Sequence, residues 1–143
     1  MAKVKFNYAD IAGVVLKDKT SIKRFIEEVF SMETKGLAKI DYIFCSDPYL
    51  LEMNKSYLQH DYYTDIITFD LSELDGPTVG EVYISVDRVK DNALVHGALI
   101  ETELLRVILH GTLHLCGYKD KKKSEITIMR QKEDYYLRLF AQK

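Results

Sequence analysis

Residues 109–123 read LHGTLHLCGYKDKKK. His110 and His114 stand four positions apart, so on a helix both imidazoles leave the same face about one turn from each other. Two neutral imidazoles in that relation can grip one divalent ion. The apolar run closes at Leu115 and Cys116, and Gly117 then has the freedom to take the left-handed conformation that stops a helix and folds the chain back. That return brings Asp120 beside the two histidines. Two nitrogens and one carboxylate oxygen leave a fourth position for water, the open arrangement of catalytic zinc rather than the closed one of structural zinc.

An HxxxH spacing is short and arises by chance, and its plain alternative is a pair of ordinary hydrogen-bonded helix residues. The surroundings weigh against that alternative. The helix expected from about Ile100 to Cys116 carries Leu104, Leu105, Val107, Ile108, Leu109, Leu113 and Leu115, so it should be packed nearly all round, where a partnerless histidine is costly. Gly111 is worth about 1 kcal/mol less than Ala in a helix interior, which implies that something approaches the backbone there.

On either side the chain alternates strand and helix signals. Lys3–Tyr8 alternates Val4, Phe6 and Tyr8 as a half-buried strand, and Asp18 or Thr20 can cap a helix from Ser21 to about Thr34 that Gly36 ends. Ala38–Phe44 reads as a second strand, and Ser46 with Asp47 opens a helix through Tyr57. Asp65–Leu71 and Gly80–Ser85 read as strands around a loop at Ser72–Thr78, and Asp87 caps a helical segment through Val95. After a break near Gly97 comes the histidine helix, and Ser124 opens a last helix with Ile128, Met129, Leu137 and Phe140. The expectation is one α+β domain over residues 1–143: a mixed sheet of about four strands covered by about five helices, with the metal site on a central helix.

Composition narrows the class. A hydrophobic fraction of 47% and a charged fraction of 29% read as soluble and globular, and no apolar run nears the roughly 20 residues of a membrane span. The opening MAKVKFNYAD lacks a signal-peptide core, and Cys45 and Cys116 have no motif spacing, so a cytoplasmic protein with two reduced thiols is expected. Cys116 lies two residues past His114, turned from the metal face. His60 and His96 lie outside the metal pattern and receive no role. The net charge of −2 speaks mildly against nucleic acid, but Lys119, Lys121, Lys122 and Lys123 crowd the loop beside the metal residues, and Lys17, Lys19, Lys23 and Arg24 cluster elsewhere. Either cluster also reads as a solvated face. Positive charge beside a hydrolytic metal suits a polyanionic substrate.

The run His110–Asp120, HGTLHLCGYKD, resembles the signature HGxLHLxGYDH of the YbeY family of bacterial metal-dependent endoribonucleases. Both helical histidines, both glycines and Tyr118 match, while Lys119-Asp120 stands for the family's Asp-His. Asp120 thus falls on the third-ligand position as a carboxylate. Its oxygen binds zinc at about the distance of an imidazole nitrogen, which leaves less positive charge at the metal. Leu51–Asp70 is similar to the family's LNxxYRxxDxPTDVLSF through Asn54, Tyr57, Asp61, Thr64, Asp65, Thr68 and Phe69, and Gly80–Asp87 continues the agreement. Leu58 replaces the family's arginine and Tyr63 its proline. The phosphate contact such an arginine would make then falls to Lys55 or to the Lys119–Lys123 cluster. Asn54, Thr64 and Asp65 also read plainly as helix-end and strand-start residues.

What the resemblance implies is cleavage of single-stranded RNA, in maturation of the small-subunit ribosomal RNA 3′ end and in ribosome quality control. One Zn2+ on His110, His114 and Asp120 would lower the pKa of a water from 15.7 to about 7 or somewhat above. Asp65 and Thr68 would support it, and Lys119, Lys121, Lys122 and Lys55 would contact substrate. Ribosomal RNA and the ribosome would be the partners, with no membrane. A ribosome-associated RNA-binding protein with a structural metal is the alternative, prompted by the changed ligand and by Leu58. A zinc peptidase ranks lower: Gly111 stands where an HExxH enzyme keeps its general base, and Glu103 lies seven residues upstream, about 10 Å along the helix.

Overall fold

The computed structural model describes residues 3–14 and 16–143. Strand β1 (Val4–Tyr8) turns Val4, Phe6 and Tyr8 to one face, as a period of two requires. Asp18 caps α1 (Lys19–Met32), its Oδ1 accepting the Ser21 N–H at 3.2 Å. Ile22, Phe25, Ile26, Val29 and Phe30 form the buried stripe of α1. The stop is not Gly36. Thr34 takes the left-handed φ of 56°, while its N–H reaches Ser31 O and the Lys35 N–H reaches Phe30 O, so the last carbonyls are satisfied before the chain arrives at the glycine.

Then follow β2 (Leu37–Cys45), α2 (Asp47–Leu58) capped by Ser46, β3 (Ile66–Asp70) and β4 (Thr78–Ser85). Helix α3 (Val86–His96) is capped by Ser85, whose Oγ accepts the Arg88 N–H at 3.1 Å. Asp87, expected as that cap, sits inside the first turn, and its carboxylate takes the Asp47 N–H at 2.9 Å. One acid therefore serves the start of a neighbouring helix, a contact no local pattern encodes. Helix α4 (Ile100–Leu115) carries the histidine pair, and α5 (Lys123–Ala141) begins one residue before Ser124, with Glu125 accepting the Lys122 N–H at 2.9 Å.

The strands form one mixed sheet in the order β1-β2-β4-β3, parallel except for β3, which runs antiparallel to β4. Its alternation divides the core. Ile40, Tyr42, Phe44, Val82 and Ile84 face α1 and α4, whereas Cys45 and Ile67 meet Leu50 of α2 on the other side. The α+β domain, with four strands and five helices among the described residues, is thus as expected, and α4 is its central helix. No described helix is long and apolar enough to cross a membrane.

Helix α4 lies close against the sheet, and Gly111 is what allows it. A Cβ there would sit 2.7 Å from Val82 Cγ1 and 3.0 Å from Ile66 Cδ1. Both neighbours are β-branched strand residues with little rotamer freedom to withdraw. Gly111→Ala should therefore lower stability by a net ~1 kcal/mol, because overpacking costs about 1–3 kcal/mol against a helix-propensity gain of about 1 kcal/mol. Urea unfolding at constant m checks this; a variant with a higher midpoint than wild type would mean that the helix can lift from the sheet without loss.

Candidate metal centre

The pitch of α4 stacks His110 and His114 one turn apart with ring centroids 4.6 Å from each other. Gly117, at φ 108°, then reverses the chain, and the Gly117 and Tyr118 N–H groups close on His114 O and Leu113 O at 3.0 Å each. The turn does two things for the site. It presents the Tyr118 carbonyl to His114 Nδ1 at 2.9 Å, and it carries Asp120 back over the histidines.

A carbonyl oxygen only accepts, so His114 bears its proton on Nδ1 and its lone pair on Nε2. His110 is fixed the same way by a residue the sequence did not single out: Nδ1 lies 2.6 Å from Oε2 of Glu133, on α5. The two Nε2 atoms consequently face each other at 3.0 Å, with Asp120 Oδ2 at 3.0 Å from one and 3.2 Å from the other. Three acceptors in that arrangement repel unless a cation or a proton sits among them. Tetrahedral bonds of about 2.0–2.1 Å would hold such atoms about 3.3 Å apart, so the spacing suits a divalent ion. The proton is the competitor. Burial opposes a charged His110, but the bond to Glu133 and the Glu133, Asp120 and Asp65 carboxylates together raise its pKa above the usual imidazole value.

Glu133 is 5% exposed, and it is compensated: Arg106 Nη1 stands 3.0 Å from its Oε1, and Arg106 Nη2 reaches Asp134 at 2.7 Å. The signal available in the sequence was position. Glu133 lies four residues after Met129 and three before Tyr136, both buried, and a carboxylate on an apolar stripe needs a partner.

The donor set opens on a cleft of about 860 Å³. Asp65 and Thr68 line it. Burial pushes the Asp65 carboxyl above its usual range, with the nearby His110 pulling the other way, and Thr68 Oγ1 is buried without a hydrogen-bond partner. Lys121 also lines the cleft, whereas Lys119, Lys122 and Lys55 are not on its wall; Lys55 pairs with Asp61 at 3.6 Å and Glu52 at 3.8 Å. Glu103 lines it too, beside His96 at 3.8 Å. Cys116 lies outside the donor cluster, and burial pushes its thiol up to about 12.

Fold and site together define a class: α+β domains whose central helix and following turn present an open His-His-Asp set to a cleft. A sequence model of the family described as Endoribonuclease YbeY matches residues 9–141. An Endoribonuclease YbeY from Cytophaga hutchinsonii is 49% identical over 124 residues, 87% of each chain. One from Flavobacterium psychrophilum is 44% identical over 137 residues, 96% of each. In three dimensions the chain is similar to a Thermotoga maritima protein solved in solution, with a TM-score of 0.61 at 25% identity, covering 96% of this chain and 88% of that one. The chain belongs to the Endoribonuclease YbeY family.

Because Glu133 fixes the His110 tautomer and raises the basicity of Nε2, Glu133→Gln should weaken zinc binding by about 10- to 100-fold while the fold is kept. Competition with a chromophoric chelator reads this directly, and unchanged affinity would show that the Glu133 contact does not tune the donor set.

Proposed function

We propose that this chain is a metal-dependent endoribonuclease acting on single-stranded RNA, with one zinc ion held by His110, His114 and Asp120. The observation that carries the reading is the convergence of three lone-pair donors within 3.2 Å at the edge of a cleft large enough for a nucleotide strand. When bound, zinc would polarise a phosphoryl oxygen and acidify a water. The protein's own part is to hold that set ready. Tyr118 O and Glu133 keep the Nδ1 protons in place, so both Nε2 atoms present lone pairs. Asp65, its carboxyl pushed up by burial, and Thr68, whose buried Oγ1 has no hydrogen-bond partner among the described residues, stand on the same wall as supporting polar groups. Lys121 offers positive charge on the same wall.

The activity in the relatives' names supports RNA as the substrate. Ribosomal RNA maturation at the small-subunit 3′ end and ribosome quality control, with the ribosome as partner and the cytoplasm as location, complete the reading. The rival is an RNA-binding protein whose metal only holds the fold.

Metal content and cleavage of single-stranded RNA, measured on wild type, His114→Ala and Asp120→Ala, separate the two. Wild type should hold one zinc and lose cleavage with chelator. Each variant should lose zinc, remain folded by circular dichroism and fall below about a hundredth of wild-type cleavage, since even residues that merely support ligands are worth 10- to 100-fold. Zinc without cleavage, with His114→Ala unfolding, would favour the rival; full zinc and activity in Asp120→Ala would remove the third ligand.

Leu58 gives a gain-of-function counterpart. Its side chain lines the cleft where the family pattern has arginine. Leu58→Arg should lower KM for RNA about tenfold, the size of one charge-assisted phosphate contact. An unchanged KM would mean that this wall does not meet the strand's backbone.

A further inference from the structure

The connection from α2 to β3 is dense in rings: His60, Tyr62 and Tyr63 follow Tyr57 within a few positions. Two of the four have protein partners, Tyr63 beneath the Arg88 guanidinium at 5.1 Å and Tyr57 edge-on to Phe69 at 6.2 Å. His60 and Tyr62 instead stack on each other, centroids 5.1 Å apart and planes 19° from parallel, on the wall of the cleft that holds His110, His114 and Asp120. Tyr62 is 56% exposed. Such a ring on a loose loop would mean little, but this loop is pinned. Asn54, 2% exposed, accepts the His60 N–H through its carbonyl at 3.0 Å and donates from Nδ2 to Tyr62 O at 2.8 Å. Tyr62 Oη and His60 Nδ1, 3.0 Å apart, lock the two rings together. An aromatic face held at a fixed angle before binding loses little entropy when it is used.

The charges around it say what such a face is for. Of the cationic groups on the cleft wall, Arg106 is taken by Glu133 and Asp134, Arg130 lies 3.6 Å from Glu133, and Lys121 is the one without a carboxylate in salt-bridge range among the described residues. Asp65, Asp70 and Glu103 line the same wall. One unpaired lysine among these carboxylates gives a polyanion little to grip, so the bases of a nucleic acid strand are the further source of affinity. Stacking on aromatic faces supplies this without sequence preference, and only unpaired bases can offer a face.

We propose that the His60–Tyr62 pair is a stacking platform for unpaired nucleobases of the RNA strand whose phosphodiester lies at the His-His-Asp site. The inference rests on the ribonuclease reading for the chemistry at that site, and it adds where the strand is gripped and why a duplex is refused.

The test uses full-length protein with Tyr62→Ala, Tyr62→Phe and His60→Ala. Cleavage of a short single-stranded RNA gives kcat and KM, and anisotropy of a labelled single-stranded DNA of the same sequence reports base binding without depending on cleavage. Tyr62→Ala should raise both KM and the DNA dissociation constant by about 5- to 150-fold, the range of one base–aromatic stack, with kcat moved far less. His60→Ala should act in the same direction, and Tyr62→Phe, which keeps the ring, should stay near wild type. The slope of log affinity against log salt should be unchanged in Tyr62→Ala, because no phosphate contact is lost. Wild-type KM and DNA affinity in Tyr62→Ala overturn the platform and leave the ribonuclease reading intact. Equal damage from Tyr62→Phe also overturns it, since the hydroxyl rather than the ring would then be acting. DNA binding that depends on Tyr62 in a protein that cuts no RNA keeps the platform and overturns the ribonuclease reading.

Discussion

Two imidazole nitrogens and a carboxylate oxygen are held lone pair to lone pair, and much of the architecture exists to keep them there. Each histidine is fixed from behind, His114 by the carbonyl of Tyr118 and His110 by Glu133. The restraint extends beyond the site. The Tyr118 hydroxyl donates at 2.7 Å to Glu33 at the end of α1, which also receives Lys132 Nζ at 3.2 Å and the Tyr136 hydroxyl. Burial opposes the charge on Glu33, but three donors outweigh it and hold its carboxyl below the usual range. One carboxylate thus ties α1, the turn carrying Asp120, and α5 into a unit, so the position of the third donor is set by core contacts rather than by the turn alone.

The sheet supplies the other half of that rigidity. Helix α4 meets it at two glycines, Gly111 against Val82 and Ile66 and Gly80 against Leu115, and at both a Cβ would stand within 3.0 Å of a neighbouring side chain. A helix seated so closely cannot rotate about its axis without collision. Rotation is the motion that would swing His110 and His114 out of register with Asp120, so the same contact that stabilises the core also fixes the aim of the three donor atoms.

What the chain discloses about itself follows the range of the interactions. His110, His114 and Asp120 are legible because helix pitch and a glycine turn bring them together within eleven residues. The strands are legible because Val4, Ile40, Val82 and their alternates obey a period of two. Gly36 and Asp87 mislead because local rules allow several solutions: Thr34 accepts the left-handed turn, and Ser85 stands directly before the start of α3 whereas Asp87 lies inside its first turn. Glu133 and the His60–Tyr62 pair lie beyond such reading. The first acts across 23 residues of sequence, and the second depends on Asn54 reaching forward to pin a loop, a contact that no periodicity announces.

Charge explains why the ligand change and the arginine change fit together. With an aspartate as third donor, a dication on this site would keep one net positive charge rather than two, while Arg106 answers the charge of Glu133 behind His110. A site less positive at its centre draws a phosphodiester less strongly, and leucine at position 58 removes a further cation from the wall. Both changes weaken attraction to a polyanion in the same direction. Neither removes a contact made through base faces, which aromatic side chains supply. If the two losses are compensated within this chain, an aromatic surface on the cleft wall is the kind of feature that would do it, and the rings of His60 and Tyr62 stand on that wall.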